Sequence, residues 1–267
     1  MGLPEPSTSG TALVTGASSG IGAEIARELA RRGLHVTLVA RRGDRLATLA
    51  EEIRNDLGGE AEAIACDLSD PTERERLIAA IEGSGRAVEV LVNNAGFGGG
   101  GDFATSDTER SLQMVRLNVE AVVDLSGRVV EGMVRRGRGS IINIASTAAF
   151  QPLPGQATYA ATKAFVLSLS EAVRTELAGT GVSVTAVCPG PVRTEFVEVA
   201  GLGDVEDRTP EMIWMSAADV AREAVRGAER GKRVVVPGTL NRAGAIAGQH
   251  APRAFALPLV RRIWSRV

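Results

Sequence analysis

Tyr159 and Lys163 stand four residues apart at the start of a helical pattern, and Tyr159 is the only tyrosine among 267 residues. On a helix this spacing puts an ammonium and a phenol on one face. Proton exchange with a carbonyl or alcohol near neutral pH asks a phenol of pKa about 10 to shift by about 3 units, roughly 4 kcal/mol in favour of phenolate. A cation about 4 Å away contributes ~1 kcal/mol in bulk water but ~4 at an effective dielectric near 20, so the pair can do this only where it is sheltered. Ser146 precedes Tyr159 by thirteen residues and follows a strand pattern. Its hydroxyl suits a donor to a carbonyl oxygen on which charge develops. Alone, Tyr-x-x-x-Lys equally describes a surface lysine beside a half-buried tyrosine.

Bringing these groups together is the task of the surrounding elements. Short β-branched runs at Ala12–Thr15, Val36–Ala40, Ala61–Cys66, Val88–Val92, Ser140–Ile144, Val182–Cys188 and Arg233–Val236 alternate with longer helical patterns. Strands apolar on both faces, separated by helices, predict an α/β fold: a Rossmann-type doubly wound parallel sheet of about seven strands in a single domain. Residues 1–238 are expected to form this domain and residues 239–267 a basic helical extension. Asp70-Pro71 with Glu73 predicts a helix start, as do Ser106 and Glu109. Both Asp70 and Ser106 thus have local reasons for their identity.

The first strand runs into Thr15-Gly16-Ala17-Ser18-Ser19-Gly20-Ile21-Gly22 and then an amphipathic helix. Glycines let a backbone approach a pyrophosphate, and helix N-terminal N–H groups bind its charge. The second strand ends in Ala40-Arg41-Arg42, at the place where an acid commonly holds the adenosine ribose 2′-hydroxyl. Arg41 and Arg42 suit a 2′-phosphate instead, favouring NADP (NADPH) over NAD; alternatively one of them belongs to the solvated start of the next helix. Asp67 and Leu68 follow the third strand, where Asp67 can meet the adenine or make a local turn bond. Asn93-Asn94-Ala95-Gly96 ends the fourth, either admitting a cofactor past its small residues or forming a turn.

Together these motifs resemble the short-chain dehydrogenase/reductase superfamily in its compact, single-domain branch, from about Thr11 to Val236. The resemblance implies that Tyr159 is the general acid/base, Ser146 the substrate-orienting group, and Lys163 a ribose ligand that modulates the tyrosine. It adds Asn118 to the catalytic set through a water-linked proton relay. It also assigns Pro189, Gly190, Val192 and Thr194 to the nicotinamide end, beside Gly16, Ser18, Ser19, Gly20, Ile21, Gly22, Asn94, Ala95 and Gly96 along the cofactor. The expected reaction is hydride transfer between a nicotinamide and a carbonyl or secondary alcohol. The expected assembly is a homodimer or homotetramer, through the helices around Asn118 and Tyr159. A catalytically silent NADP-binding scaffold or regulator is the alternative, but intact Ser146, Tyr159 and Lys163 speak against it.

Phe97, Phe103, Phe150, Leu153, Phe196, Met212, Trp214 and Met215 are expected near the substrate and suit a lipophilic ketone or acyl group. Residues 192–215 read as a lid. The formal charge of −2 leaves no overall footprint for nucleic acid. From Lys232 onward there are seven basic and no acidic residues, so the preceding residues hold 23 basic against 32 acidic. That tail could rest on an anionic membrane, cover a pocket or contact a subunit. Cys66 and Cys188 are isolated, His35 and His250 show no metal spacing, and no metal is expected. No membrane span or leader pattern is read, so a cytoplasmic location is expected.

Overall fold

A computed structural model describes residues 2–196, 200, 210–254 and 257–258. The strands are β1 (Gly10–Thr15), β2 (Val36–Ala40), β3 (Ala61–Ala65), β4 (Ala87–Asn93), β5 (Gly139–Ile144), β6 (Val182–Val187), β7 (Val192–Arg193), β8 (Met215–Ser216) and β9 (Val234–Val235). The helices are α1 (Gly20–Ala30), α2 (Gly43–Asp56), α3 (Pro71–Gly83), α4 (Thr108–Val115), α5 (Ala121–Arg136), α6 (Ala157–Glu176), α7 (Ala217–Glu229) and α8 (Thr239–His250).

Seven strands form one sheet in the order β3-β2-β1-β4-β5-β6-β9, every neighbouring pair parallel. The pleat decides which helix each strand residue meets. Ala12, Val14, Leu38, Val90, Val92 and Ile142 join α1, α2 and α7 on one face. Leu13, Val39, Leu91 and Ile141 join α3 and α5 on the other. A strand covered twice must be apolar at successive positions, and each large side chain so buried contributes about 1.5–3 kcal/mol. The strand order reverses between β1 and β4, so the C-terminal strand ends there open a crevice, the usual ligand position in such sheets.

Two local expectations are corrected. Asp107, not Ser106, caps α4, accepting from the N–H groups of Glu109 (2.9 Å) and Arg110 (3.3 Å), while the Ser106 hydroxyl donates to Phe103 O. Asp70 does cap α3, accepting from Thr72 N at 2.7 Å, but Glu73 reaches past it to accept from the N–H of Asp67. A second, two-stranded sheet, β7 with β8, ties the exit of β6 to the start of α7. Residues 197–199 and 201–209 of the expected lid lie outside the described residues, as do Leu259, Val260, Arg261, Arg262, Ile263, Trp264 and Arg266 of the expected basic tail. Among the described residues no helix is long and apolar enough to cross a membrane.

Candidate active site

β5 delivers Ser146 in extended backbone (φ −169°, ψ 162°) at the start of a 3₁₀ turn, Thr147–Phe150, where its Oγ accepts from Ala148 N at 3.1 Å. α6 starts at Ala157, so Tyr159 lies in its first turn and Lys163 in its second. Lys163 is 6 % exposed, its Nζ donating to Ile144 O at 2.9 Å and lying 5.9 Å from the Tyr159 ring centroid. On the open side the Phe196 ring stands 5.6 Å from that of Tyr159, tilted by 51°. Lys163 is therefore buried and Tyr159 half-buried, so the surface-lysine alternative falls.

Its electrostatics differ from the sequence expectation. Burial pushes the Tyr159 phenol up to about 12, only partly opposed by a hydrogen bond with Ser146. Burial likewise pushes the Lys163 ammonium down to about 8. Desolvation is the leading cause for both groups, and Lys163 does not bring the phenol down towards neutrality. A phenol held protonated at neutral pH is a proton donor.

Asn118 sits in a π-helical turn, Arg116–Glu120, inserted between α4 and α5. Such wide turns often mark functional positions. Its Oδ1 accepts from Phe97 N at 3.1 Å, and its Nδ2 donates to Phe97 O at 3.0 Å and Thr162 Oγ1 at 3.2 Å. A Cβ at Gly96 would stand 2.8 Å from Asn118 Oδ1, close enough to displace it, and 3.6 Å from Lys163 Nζ. Below the site, Asn93 Nδ2 donates to Asn143 Oδ1 (2.8 Å) and Asn143 Nδ2 to Ser170 Oγ (2.9 Å), a buried chain locking β4, β5 and α6 together.

At the cofactor end, Asn94 Nδ2 donates to the carbonyls of Thr15 (2.9 Å) and Gly16 (3.2 Å). Thr15, to which the motif reading assigns no role, accepts at Oγ1 from Asn94 N and Ala95 N and donates to Val92 O. The Asn94 side chain thus holds the glycine turn in shape rather than projecting from it. Gly16 has φ +65°, and a Cβ there would strike Asn94 Nδ2 at 2.7 Å. Ser18, Ser19, Gly20 and Ile21 lead into α1, and Gly20 faces Thr194, whose Cγ2 would be 3.1 Å from an added Cβ. Pro189 O accepts from Thr147 N at 2.8 Å, bringing the β6 exit, with Gly190 and Val192, beside Ser146. A tight turn of small residues at a helix N-terminus, open to the strand ends, fits a dinucleotide pyrophosphate.

Asp67 makes the local turn bond. Burial pushes its carboxyl up, but the hydroxyl and N–H of Ser69, bound to Oδ1 at 2.7 and 3.0 Å, and the charge of Arg41 hold it below its ordinary value. Leu68 is buried and its carbonyl accepts from Arg74 Nη1 at 2.8 Å. Arg42 points at the glycine turn, its Nη2 donating to Ser18 Oγ (2.9 Å) and Ser19 Oγ (2.8 Å). Of the expected substrate residues, Phe196 meets Tyr159, and Phe150 lines a small cavity with Pro152 and Leu257. Phe97 and Trp214 are instead stacked by Arg110 and Arg193, and Phe103 and Met212 are each 73 % exposed.

A doubly wound sheet with a glycine turn at the crevice and a Ser-Tyr-Lys cluster beside it defines a nucleotide-dependent oxidoreductase architecture. The short chain dehydrogenase family model matches residues 10–202, and the chain belongs to that family. It is 45 % identical over 216 residues to the "Putative ketoacyl reductase" of Streptomyces coelicolor, covering 80 % of each chain. Among solved structures it resembles a short-chain dehydrogenase from Sphingobium yanoikuyae in complex with NADPH, with a TM-score of 0.79, 35 % identity and 96 % of each chain covered. It also resembles a variant of the actinorhodin polyketide ketoreductase with NADPH, with a TM-score of 0.76, 36 % identity, and 85 % of this chain and 95 % of that one covered.

Proposed function

We propose that this chain is an NADP-dependent reductase that converts a keto group of a lipophilic, keto-acyl type substrate to a secondary alcohol. The observation that carries the reading is the convergence of Ser146, Tyr159 and Lys163 at the end of β5, next to the glycine turn of β1. Residues Gly16–Gly22, Arg42 and the Pro189–Thr194 exit hold the cofactor, which supplies the hydride when bound. Ser146 orients the carbonyl oxygen and stabilises the charge that grows on it. Tyr159, protonated at neutral pH, donates the proton to the carbonyl oxygen as the hydride arrives. Lys163, fixed by Ile144 O, and Asn118, fixed by Phe97, hold the inner wall of the site.

Keto-acyl chemistry is supported by the names of two similar proteins and by Phe196 beside the reacting phenol. Leu112, Val115 and Val123 on α4–α5 and Phe165 on α6 are apolar yet exposed, which supports assembly into a homodimer or homotetramer through those helices. The test is NADPH oxidation over keto-acyl thioesters, steroid ketones and small aromatic ketones. Tyr159→Phe retains NADPH binding while kcat falls at least about 10²-fold, the scale of general acid catalysis. Unchanged turnover in that variant defeats the mechanism.

A further inference from the structure

One carboxylate bridges two arginines at the mouth of the cofactor crevice. Glu195 Oε2 accepts from Arg42 Nη1 at 2.8 Å and Oε1 from Arg45 Nη1 at 2.5 Å. Arg42 follows β2, Arg45 lies in the first turn of α2, and Glu195 comes from the segment after β7. Arg42 is further oriented by Ser18 and Ser19 of the glycine turn. The neighbours of Glu195 are themselves placed: Thr194 lies against Gly20, and the Phe196 ring lies on Tyr159.

An isolated surface pair would explain one such contact. Here two guanidinium groups from separate elements converge on a single anion, which engages one with each oxygen, at the end of β2 where the ribose 2′ substituent is expected. All three side chains are partly exposed, between 41 and 45 %. Exposed ion pairs stabilise a fold little, so an incoming anion can displace this one. The two arginines hold the Glu195 carboxyl down at about 2, so it stays anionic at any working pH.

Resting on the reading of this chain as an NADP-dependent reductase, we propose that Glu195 is an internal stand-in for the 2′-phosphate. Arg45 completes with Arg42 the anion site that this carboxylate occupies and yields to NADP(H). A 2′-phosphate replaces the carboxylate with two negative charges on the same donors, whereas a 2′-hydroxyl brings no charge with which to compete. Glu195 therefore weakens NADPH binding selectively, and cofactor preference is set by Arg42, Arg45 and Glu195 together.

Titrations of the full chain with NADPH, NADH and adenosine 2′-monophosphate, followed by tryptophan or nicotinamide fluorescence, test this without any turnover. Glu195→Gln lowers Kd for NADPH and for adenosine 2′-monophosphate about five- to tenfold, from two exposed pairs removed, and moves Kd for NADH less than about twofold. Arg45→Gln raises Kd for NADPH about fivefold, and the two substitutions are non-additive in the double variant because the Glu195 partner is shared. Equal Kd values for NADPH in parent and Glu195→Gln overturn the proposal while the cofactor reading stands. Weaker NADH binding in Glu195→Gln also overturns it, by making Glu195 a ribose acceptor. A parent chain that binds neither NADPH nor adenosine 2′-monophosphate brings down the cofactor reading and the proposal with it.

Discussion

Tyr159 resists ionisation in the folded protein, and Lys163 does not change that. Burial raises the phenol from 10.0 to about 12, roughly 3 kcal/mol against phenolate. Lys163, lowered to about 8, has already lost its proton before the phenol begins to titrate, so no ammonium remains to stabilise phenolate. At pH 10.5 an unperturbed phenol is about 76 % ionised, and one of pKa 12 about 3 %. Because the chain has one tyrosine, the ultraviolet difference absorbance of phenolate reports this site alone. Circular dichroism on the same samples establishes that the fold persists at that pH. We expect almost no phenolate signal at pH 10.5 in the folded protein, and a midpoint in Lys163→Met within about half a unit of the parent. A folded protein mostly ionised at pH 10.5 refutes the burial account. A midpoint raised by a unit or more in Lys163→Met refutes the titration order, since it requires an ammonium beside the phenolate.

Two further outcomes follow from the same geometry. The Lys163 pKa of about 8 lies below its ordinary 10.5, so between those values the unfolded chain binds more protons and stability rises with pH. The desolvation cost, about 3 kcal/mol, is present in full below pH 8 and relieved by pH 10.5; Lys163→Met lacks it, so urea unfolding shows the Met variant's stability relative to the parent falling by about that amount from pH 7 to 10.5. Gly96→Ala sets a Cβ against Asn118 and towards Lys163. Its kcat/KM falls by about 10²-fold, as expected for displaced catalytic groups, with a loss of about 1–3 kcal/mol in stability for the overpacked site; wild-type kinetics would remove Asn118 and Lys163 from the positioning scheme.

The large elements were legible because the physics that forms them is local in sequence. All seven strands of the main sheet lie within two residues of their expected bounds, since the central strands are buried on both faces and are rich in apolar, β-branched residues. Finer choices were less visible. Ser106 and Asp107 are both able caps, and only the direction of the chain after Phe103 decides that Asp107 faces the free N–H groups. β7 and β8 contain two residues each and exist through their mutual pairing alone. No periodicity can announce them.

For the site, spacing encodes adjacency but not energy. The four-residue step from Tyr159 to Lys163 places both groups close together on α6, and the Asn94-Ala95-Gly96 run packs tightly against the glycine turn and Asn118. Thr15 reads as part of the glycine-turn motif but with no role of its own, because a threonine before such a turn is ordinary, and Glu195 escaped notice because it meets Arg42 and Arg45 only after some 150 residues of intervening fold. The sign of the tyrosine shift was beyond the sequence for a deeper reason. The shelter that strengthens attraction between an ammonium and a phenolate also penalises each charge separately, so greater burial raises both opposing contributions. Neighbours then settle the balance: here the hydrogen bond with Ser146 alone opposes the burial of the phenol.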